Sequence, residues 1–162
     1  MTICGTVSAA ALTFGLRESA VEVARPSIER FEAGDFDRLR ALLADDSYEE
    51  ELATQRRLEG ADAQVEAARG SKEAFPDGRG TVHSAYVDGN TFTLEPTWEG
   101  THTGRTRTPD GQELATTGRR GTVKACEVME IRDGMITATR HYFDLMTILQ
   151  QVGAMEQSDA VA

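Results

Sequence analysis

Histidine is the side chain best suited to moving protons near neutral pH, and the sequence holds three, His83, His102 and His141, among 27 acidic residues. His141 stands in the run Arg140-His141-Tyr142-Phe143-Asp144, and Glu127 lies on the strand-like segment before it. Histidines and carboxylates are the usual side chains of general acid–base chemistry. No two histidines sit at a chelating helical or strand spacing, so no metal is expected. Cys4 and Cys126 are too far apart and too few for a disulfide framework or zinc spacing, and read as free thiols of a reducing compartment.

These residues need a scaffold to bring them together. With 162 residues, 40% of them hydrophobic, the chain is long enough for one domain with a sizeable core. Residues 1–16 are expected to form a flexible lead-in, 17–155 the domain and 156–162 a flexible tail. Helical periodicity runs through Val21, Ala24, Ile28 and Phe31, with Pro26 either kinking that helix or beginning its main body. Asp35 offers an N-cap for a second helix carrying Phe36, Leu39, Leu42 and Leu43 on one face, ending near Asp45-Asp46. Residues 47–59 are highly charged and give no clear period, leaving helix and loop both open. A third helix is expected over 61–75, broken by Pro76-Asp77-Gly78.

Beyond Gly80 the pattern alternates. Strands over 81–87 and 91–98 meet at Asp88-Gly89-Asn90, and strands over 123–131 and 135–143 meet at Asp133-Gly134. A short helix over 145–152, stopped by Gly153, closes the pattern. Helices first and hairpins after them predict an α+β domain with the helices laid across one face of the sheet.

A two-residue turn at Asp133-Gly134 sets Glu127 opposite Arg140, Ala125 opposite Tyr142 and Met129 opposite Ala138, on one face with Asp144. The other face then carries Cys126, Val128, Glu130, Thr139, His141 and Phe143. One bulge would move His141 to the first face. Phe92, Leu94, Pro96, Trp98 and His102 fall on alternate positions, which reads as a buried face ending in a histidine. Each of these polar residues also has a purely structural use. Helix capping accounts for Asp144, a cross-strand ion pair for Glu127 and Arg140, and a core hydrogen bond for His102. Trp98 and Tyr142 serve as wall, and His141 on an outward face would be a surface residue.

Seven segments in consistent order over about 20–153 resemble the SnoaL-like (polyketide ester cyclase) family of the nuclear-transport-factor-2-like superfamily. They are Phe31-Glu32-Ala33-Gly34-Asp35-Phe36-Asp37, Leu42-Leu43-Ala44-Asp45-Asp46, Ala74-Phe75-Pro76-Asp77, Gly100-Thr101-His102-Thr103-Gly104, Thr117-Gly118-Arg119, Asp133-Gly134-Met135-Ile136 and Leu149-Gln150-Gln151-Val152-Gly153. The resemblance implies an NTF2-like cone of N-terminal helices packed on a curved antiparallel sheet enclosing a pocket. It also implies a homodimer through the sheet, and intramolecular aldol-type cyclisation without cofactor or metal. In that pattern an aspartate stands seven positions after the glycine of the Asp-Gly turn and a second ten after. Here His141 occupies the first and Asp144 the second, while Glu127 aligns with the family's supporting histidine. The acid and the imidazole have exchanged places.

The expectation is therefore a small-molecule enzyme acting as cyclase or isomerase on a polyketide-like hydrophobic carbonyl compound. His141 would be base, His102 oxyanion donor, Glu127 orienter and Asp144 mainly a cap, with Phe31, Trp98, Arg140 and Tyr142 contacting substrate. The alternatives are a non-catalytic small-molecule-binding or dimeric interaction module of the same fold, or an epoxide hydrolase or dehydratase. A formal charge of −10 and the lack of a basic stripe speak against nucleic acid. Residues 2–14 have neither the basic start nor the length of apolar chain for export or membrane insertion, so a cytoplasmic protein without a membrane partner is expected.

Overall fold

A computed structural model describes residues 25–107 and 113–154. The expected lead-in and tail, together with Val21, Ala24 and Cys4, lie outside the described residues.

The chain is helical through 25–33 (α1), across Pro26, to a turn at Gly34, whose φ of +68° suits a residue without a side chain. Asp35 then caps α2, Phe36–Arg40, by accepting a bond of 3.2 Å from the Arg38 amide. This helix is shorter than its apolar spacing suggests. Leu42 already serves the sheet, its carbonyl accepting from the Ile136 amide at 2.8 Å, and Leu43 opens strand β1. Leu42 and Leu43 are buried as the helical pattern requires, but an extended chain entering the core buries them equally well.

The charged stretch after them is a hairpin of β1, Leu43–Glu51, and β2, Arg56–Glu59. Its register sets Glu50 opposite Arg57 and Glu51 opposite Arg56, so opposite charges stabilise each other across the strands. Then come α3, Ala61–Ala74, and the hairpin of β3, Arg79–Asp88, with β4, Thr91–Thr101. Two small paired strands follow, β5, Thr106–Arg107, and β6, Glu113–Leu114. The long hairpin of β7, Arg120–Arg132, and β8, Met135–Phe143, leads into α4, Leu145–Val152.

The fold is α+β, with six strands in the order β2-β1-β8-β7-β4-β3 in one curved sheet. All neighbours are antiparallel except β1 and β8, which run parallel and are joined through all the elements between them in the chain. Ile28 from α1, Val65 from α3, and Phe92, Leu94, Met129, Ile131 and Ile136 from the sheet meet in the core. Cys126 is a free thiol on β7. Among the described residues, no helix is long and apolar enough to cross a membrane.

Two irregularities shape the sheet. Pro96 lies inside β4, between two partners, and has no amide to give. Pairing with β7 lapses between Leu94 and Thr97, and β3 shifts register between Val82 and Ser84 on the other side. The second irregularity lies in β8. Asp133 and Gly134 both have positive φ, 52° and 75°, as the expected tight turn requires. Ile131 then faces Ile136, but Glu130 faces Ala138, so Thr137 is an extra residue in β8. The plain register, with Glu127 opposite Arg140, Ala125 opposite Tyr142 and Met129 opposite Ala138, therefore does not occur. Glu127 faces His141, Ala125 faces Phe143 and Met129 faces Thr139.

Packing between helices and sheet relies on missing side chains. A Cβ on Gly104 would enter the Glu73 carbonyl, and one on Gly121 would meet the flexible tip of Ile148 and, less closely, a methyl of Val152. Gly104→Ala is expected to cost about 1–3 kcal/mol as an overpacking substitution against fixed backbone. Gly121→Ala should cost less, because the Ile148 tip can turn away. Urea denaturation of the two variants checks this order, and equal losses would contradict it.

Candidate active site

The concave face of the sheet, α1, α3 and α4 enclose a cavity of about 440 Å³. Its wall is mostly apolar, with Phe31, Trp98, Met129 and Ile148 prominent. Phe31 stands edge-on to Trp98, their ring centroids 5.2 Å apart. Ionisable groups are concentrated where β1, β8 and β7 lie side by side: Glu49, Glu51 with Arg56, His141 and Glu127.

Glu127 reaches this wall because its position alternates with Met129 and Ile131, which are core residues. Only 7% of it is exposed. Its Oε1 accepts from Trp98 Nε1 at 3.3 Å and lies 3.9 Å from His141 Nε2. Oε2 makes no hydrogen bond and is not shut away among protein atoms. Burial raises the Glu127 carboxyl above the usual carboxylate range and the Glu49 charge adds to this, while His141 and the Trp98 bond pull the other way.

The bulge at Thr137 delivers His141. Because of the extra residue, Thr139, His141 and Phe143 share the inner face with Ile136. The ring lies against Phe143, centroids 4.9 Å apart, and its Nδ1 stands 3.6 Å from Glu49 Oε1. Nε2 is buried without a hydrogen-bond partner, directed toward Glu127. Burial disfavours the charged ring, but Glu49, Glu127 and Glu51 outweigh it and hold the imidazole above its ordinary pKa.

His102 also lines the cavity, but eight residues away along the β4–β7 ladder, roughly 26 Å of strand before curvature. Both ring nitrogens meet hydroxyls, Nδ1 with Thr117 Oγ1 at 3.2 Å and Nε2 with Thr106 Oγ1 at 2.7 Å. The ring packs on Phe75, and burial lowers its pKa, keeping it neutral. Asp144 caps α4, accepting from the Thr147 amide at 3.0 Å and the Thr147 hydroxyl at 2.7 Å, and is absent from the cavity wall. Arg140 bonds Glu130 at 2.9 Å, and Tyr142 is 43% exposed; both belong to the outer face. The structure thus gathers His141, Glu127, Trp98 and Phe31 at one wall, with His102 at the far end. Arg140, Tyr142 and Asp144 stand elsewhere.

Sequence reasoning missed Glu49, Glu51 and Arg56. The legible signal was charge complementarity, since Glu50-Glu51 and Arg56-Arg57 bracket a turn-length gap. Among the described residues, no group of three His, Cys, Asp or Glu side chains could hold a metal ion.

The sequence-family model described as SnoaL-like polyketide cyclase matches residues 21–152. No curated protein matches the chain. Among solved structures, a candidate SnoaL-like polyketide cyclase from Jannaschia sp. CCS1 superposes with a TM-score of 0.75 at 16% identity, over 85% of this chain and 93% of the other. IdmH, a candidate polyketide cyclase from Streptomyces antibioticus, gives 0.70 at 22% identity, over 83% and 98%. An epoxide hydrolase of the LEH-like type from M. tuberculosis gives 0.65 at 21% identity, over 89% and 96%.

The raised pKa values carry a sign. His141 and Glu127 both bind protons more tightly in the folded chain, so each loses stabilisation as pH rises. The Glu127 contribution fades above the unfolded carboxylate value of about 4.3, and that of His141 above about 6.5, each through its raised folded value. Urea midpoints measured across this range are expected to fall with rising pH, and His141→Gln should flatten the upper part of the decline. An upper limb unchanged by that substitution would contradict the account.

Proposed function

Since the chain belongs to the SnoaL-like polyketide cyclase family, we propose that it is a cofactor-free small-molecule enzyme. Its substrate in this reading is a polyketide-like hydrophobic carbonyl compound, and its chemistry is aldol-type cyclisation or isomerisation. The observation that carries the proposal is the buried, unpartnered His141 Nε2 facing Glu127 across 3.9 Å in an apolar cavity. A dry wall strengthens both the base and the donor relative to water.

The roles follow from the charges. In this reading the imidazolium is donor and Glu127 is base, the reverse of the assignment that imidazole basicity alone suggests: the neighbouring carboxylates favour the charged ring, and burial makes Glu127 a stronger base than an ordinary carboxylate. Glu127 Oε2 takes a proton from the carbon beside the substrate carbonyl, the C–H electron pair forms a C=C bond, and the C=O π pair moves onto the carbonyl oxygen. His141 Nε2–H holds the resulting enolate. For cyclisation, the enolate carbon bonds to a second carbonyl carbon of the same molecule, whose oxygen takes the proton from His141. Glu127 then returns its proton to His141. In isomerisation, Glu127 instead delivers the proton to a different carbon. Trp98 positions Glu127 and, with Phe31, forms the apolar seat. His102, neutral and held by two threonines, shapes the far end of the seat. Asp144 serves as a cap.

A second reading has one specific support. Glu127 and Glu49 together resemble what epoxide opening by activated water needs, and the M. tuberculosis neighbour bears that name. The wider setting of either reading is a cytoplasmic homodimer, the second copy covering the outer sheet face where Tyr86 and Tyr142 are exposed.

Proton abstraction can be read without the natural substrate. In D2O, the protein is expected to accelerate deuterium uptake at the activated carbon of a hydrophobic β-keto ester, followed by proton NMR. Glu127→Gln and His141→Gln should each lose about 10²–10⁴-fold, with circular dichroism unchanged. Absent exchange, with hydrolysis of a hydrophobic epoxide, would replace this reading by the second one. Neither activity at any cavity-filling concentration would leave the binding-module alternative.

A further inference from the structure

We infer that Glu49 is a positioning residue for the proton-transfer pair: from the neighbouring strand it fixes the His141 ring through Nδ1, leaving Nε2 free to face Glu127 and the substrate oxygen. The inference rests on the proton-transfer reading above and adds a residue to it.

The geometry has three parts. First, the parallel pairing of β1 with β8 sets Glu49 beside Thr139 and Glu51 beside His141, so both carboxylates lie on the inner face. Second, these two glutamates are differently engaged. Glu51 is held by both Arg56 Nε and Nη2, at 3.0 and 2.7 Å, and by the Thr54 hydroxyl at 2.9 Å. Glu49 makes no such bonds, and its nearest charged partner is His141 Nδ1 at 3.6 Å. Third, an imidazole offers two nitrogens pointing apart, and a partner on one determines which tautomer and orientation the other presents. Glu49 occupies Nδ1, so the proton that can leave is the one on Nε2. The separation of 3.6 Å is an ion pair just longer than a hydrogen bond.

The groups facing the ring are Glu49 and Glu51 from β1, Arg56 from β2, Glu127 from β7, Trp98 from β4 through Glu127, and Phe143 from β8 itself. Arg56 is neutralised by Glu51, which leaves Glu49 and Glu127 as the two carboxylates bracketing the imidazolium. Glu50, one residue on, faces the opposite way and pairs with Arg57, which makes it the natural control.

The test follows the His141 ring nitrogens by 15N NMR through a pH titration in the wild type and in Glu49→Gln, Glu49→Asp and Glu50→Gln. The protonation midpoint is expected to fall toward about 6.5 in Glu49→Gln, with a changed Nδ1 signal. Glu49→Asp should give an intermediate shift and Glu50→Gln none. In the β-keto ester assay, Glu49→Gln should lower kcat about 10- to 100-fold, the usual effect of losing an orienting partner, with KM nearly constant and partial rescue in Glu49→Asp. A His141 midpoint and Nδ1 signal unmoved by both Glu49 substitutions overturns the inference, whatever the activity. If Glu49→Gln does not fold, Glu49→Asp decides alone by the same signals. Wild-type protein without exchange activity defeats the proton-transfer reading instead, and the titration still reports whether Glu49 holds the ring.

Discussion

One extra residue in β8 governs the chemistry of this wall. Side chains alternate along a strand, so a single inserted residue reverses which face every later position serves. Before Thr137, β8 contributes Ile136 to the core; after it, Thr139, His141 and Phe143 take over that face. Without the bulge, the inner wall would receive Arg140 and Tyr142, and His141 would meet solvent. The outer face gains in return, since Arg140 finds Glu130 and Tyr142 stays half-exposed. The same insertion that supplies the site thus removes a guanidinium from it.

An imidazole and carboxylates together in an apolar cavity must stabilise one another or lose their charges. Burial alone would push the Glu127 carboxyl up and the His141 ring down. Their proximity changes the outcome for the ring. With two carboxylates nearby, the imidazolium is the favoured form, and burial makes the Glu127 carboxylate a stronger base than an ordinary one. Glu51 does not compete, because Arg56 and Thr54 satisfy it at the edge of the cavity. The β1–β2 hairpin, mostly charged beyond Leu43 and Ala44, therefore has two tasks: it closes the sheet edge with ion pairs and supplies the outer carboxylate of the wall. Charged side chains along an edge strand also discourage further strand pairing there.

Much of this fold was legible because local signals agreed with the tertiary structure. Asp88-Gly89-Asn90 and Asp133-Gly134 mark tight hairpins, Asp144 and Gly153 bound α4, and both hairpins lie where alternation sets them. Legibility failed where two structures satisfy the same pattern. Leu42 and Leu43 bury equally on a helix or on an entering strand. The run from Ser47 to Glu59 has no apolar period because its strands are stabilised by cross-strand charge, not by a buried stripe. The bulge has no sequence marker at Thr137, and only the pairing across the folded sheet reveals it. Consequently Glu127 and His141 could be joined only by supposing a bulge in β8, and Glu49 could not be seen at all.

The two ends of the cavity differ in a way that bears on how a guest would lie. At the His102 end the polar groups are already matched: ring nitrogens to Thr106 and Thr117, with a neutral imidazole packed on Phe75. Such groups offer little to a charge, and disturbing them would leave buried polar atoms unpaired. At the Glu127 end the reverse holds: Nε2 of His141 is buried without a hydrogen-bond partner among the described residues, and the Trp98 bond to Oε1 leaves Oε2 of Glu127 open. A buried donor without a partner is costly unless a ligand completes it. Between the ends, Phe31, Trp98, Met129 and Ile148 give no polar purchase. The arrangement therefore favours a guest whose apolar body fills the middle and whose polar group lies against β7 and β8. That orientation follows from hydrogen-bond supply and demand alone.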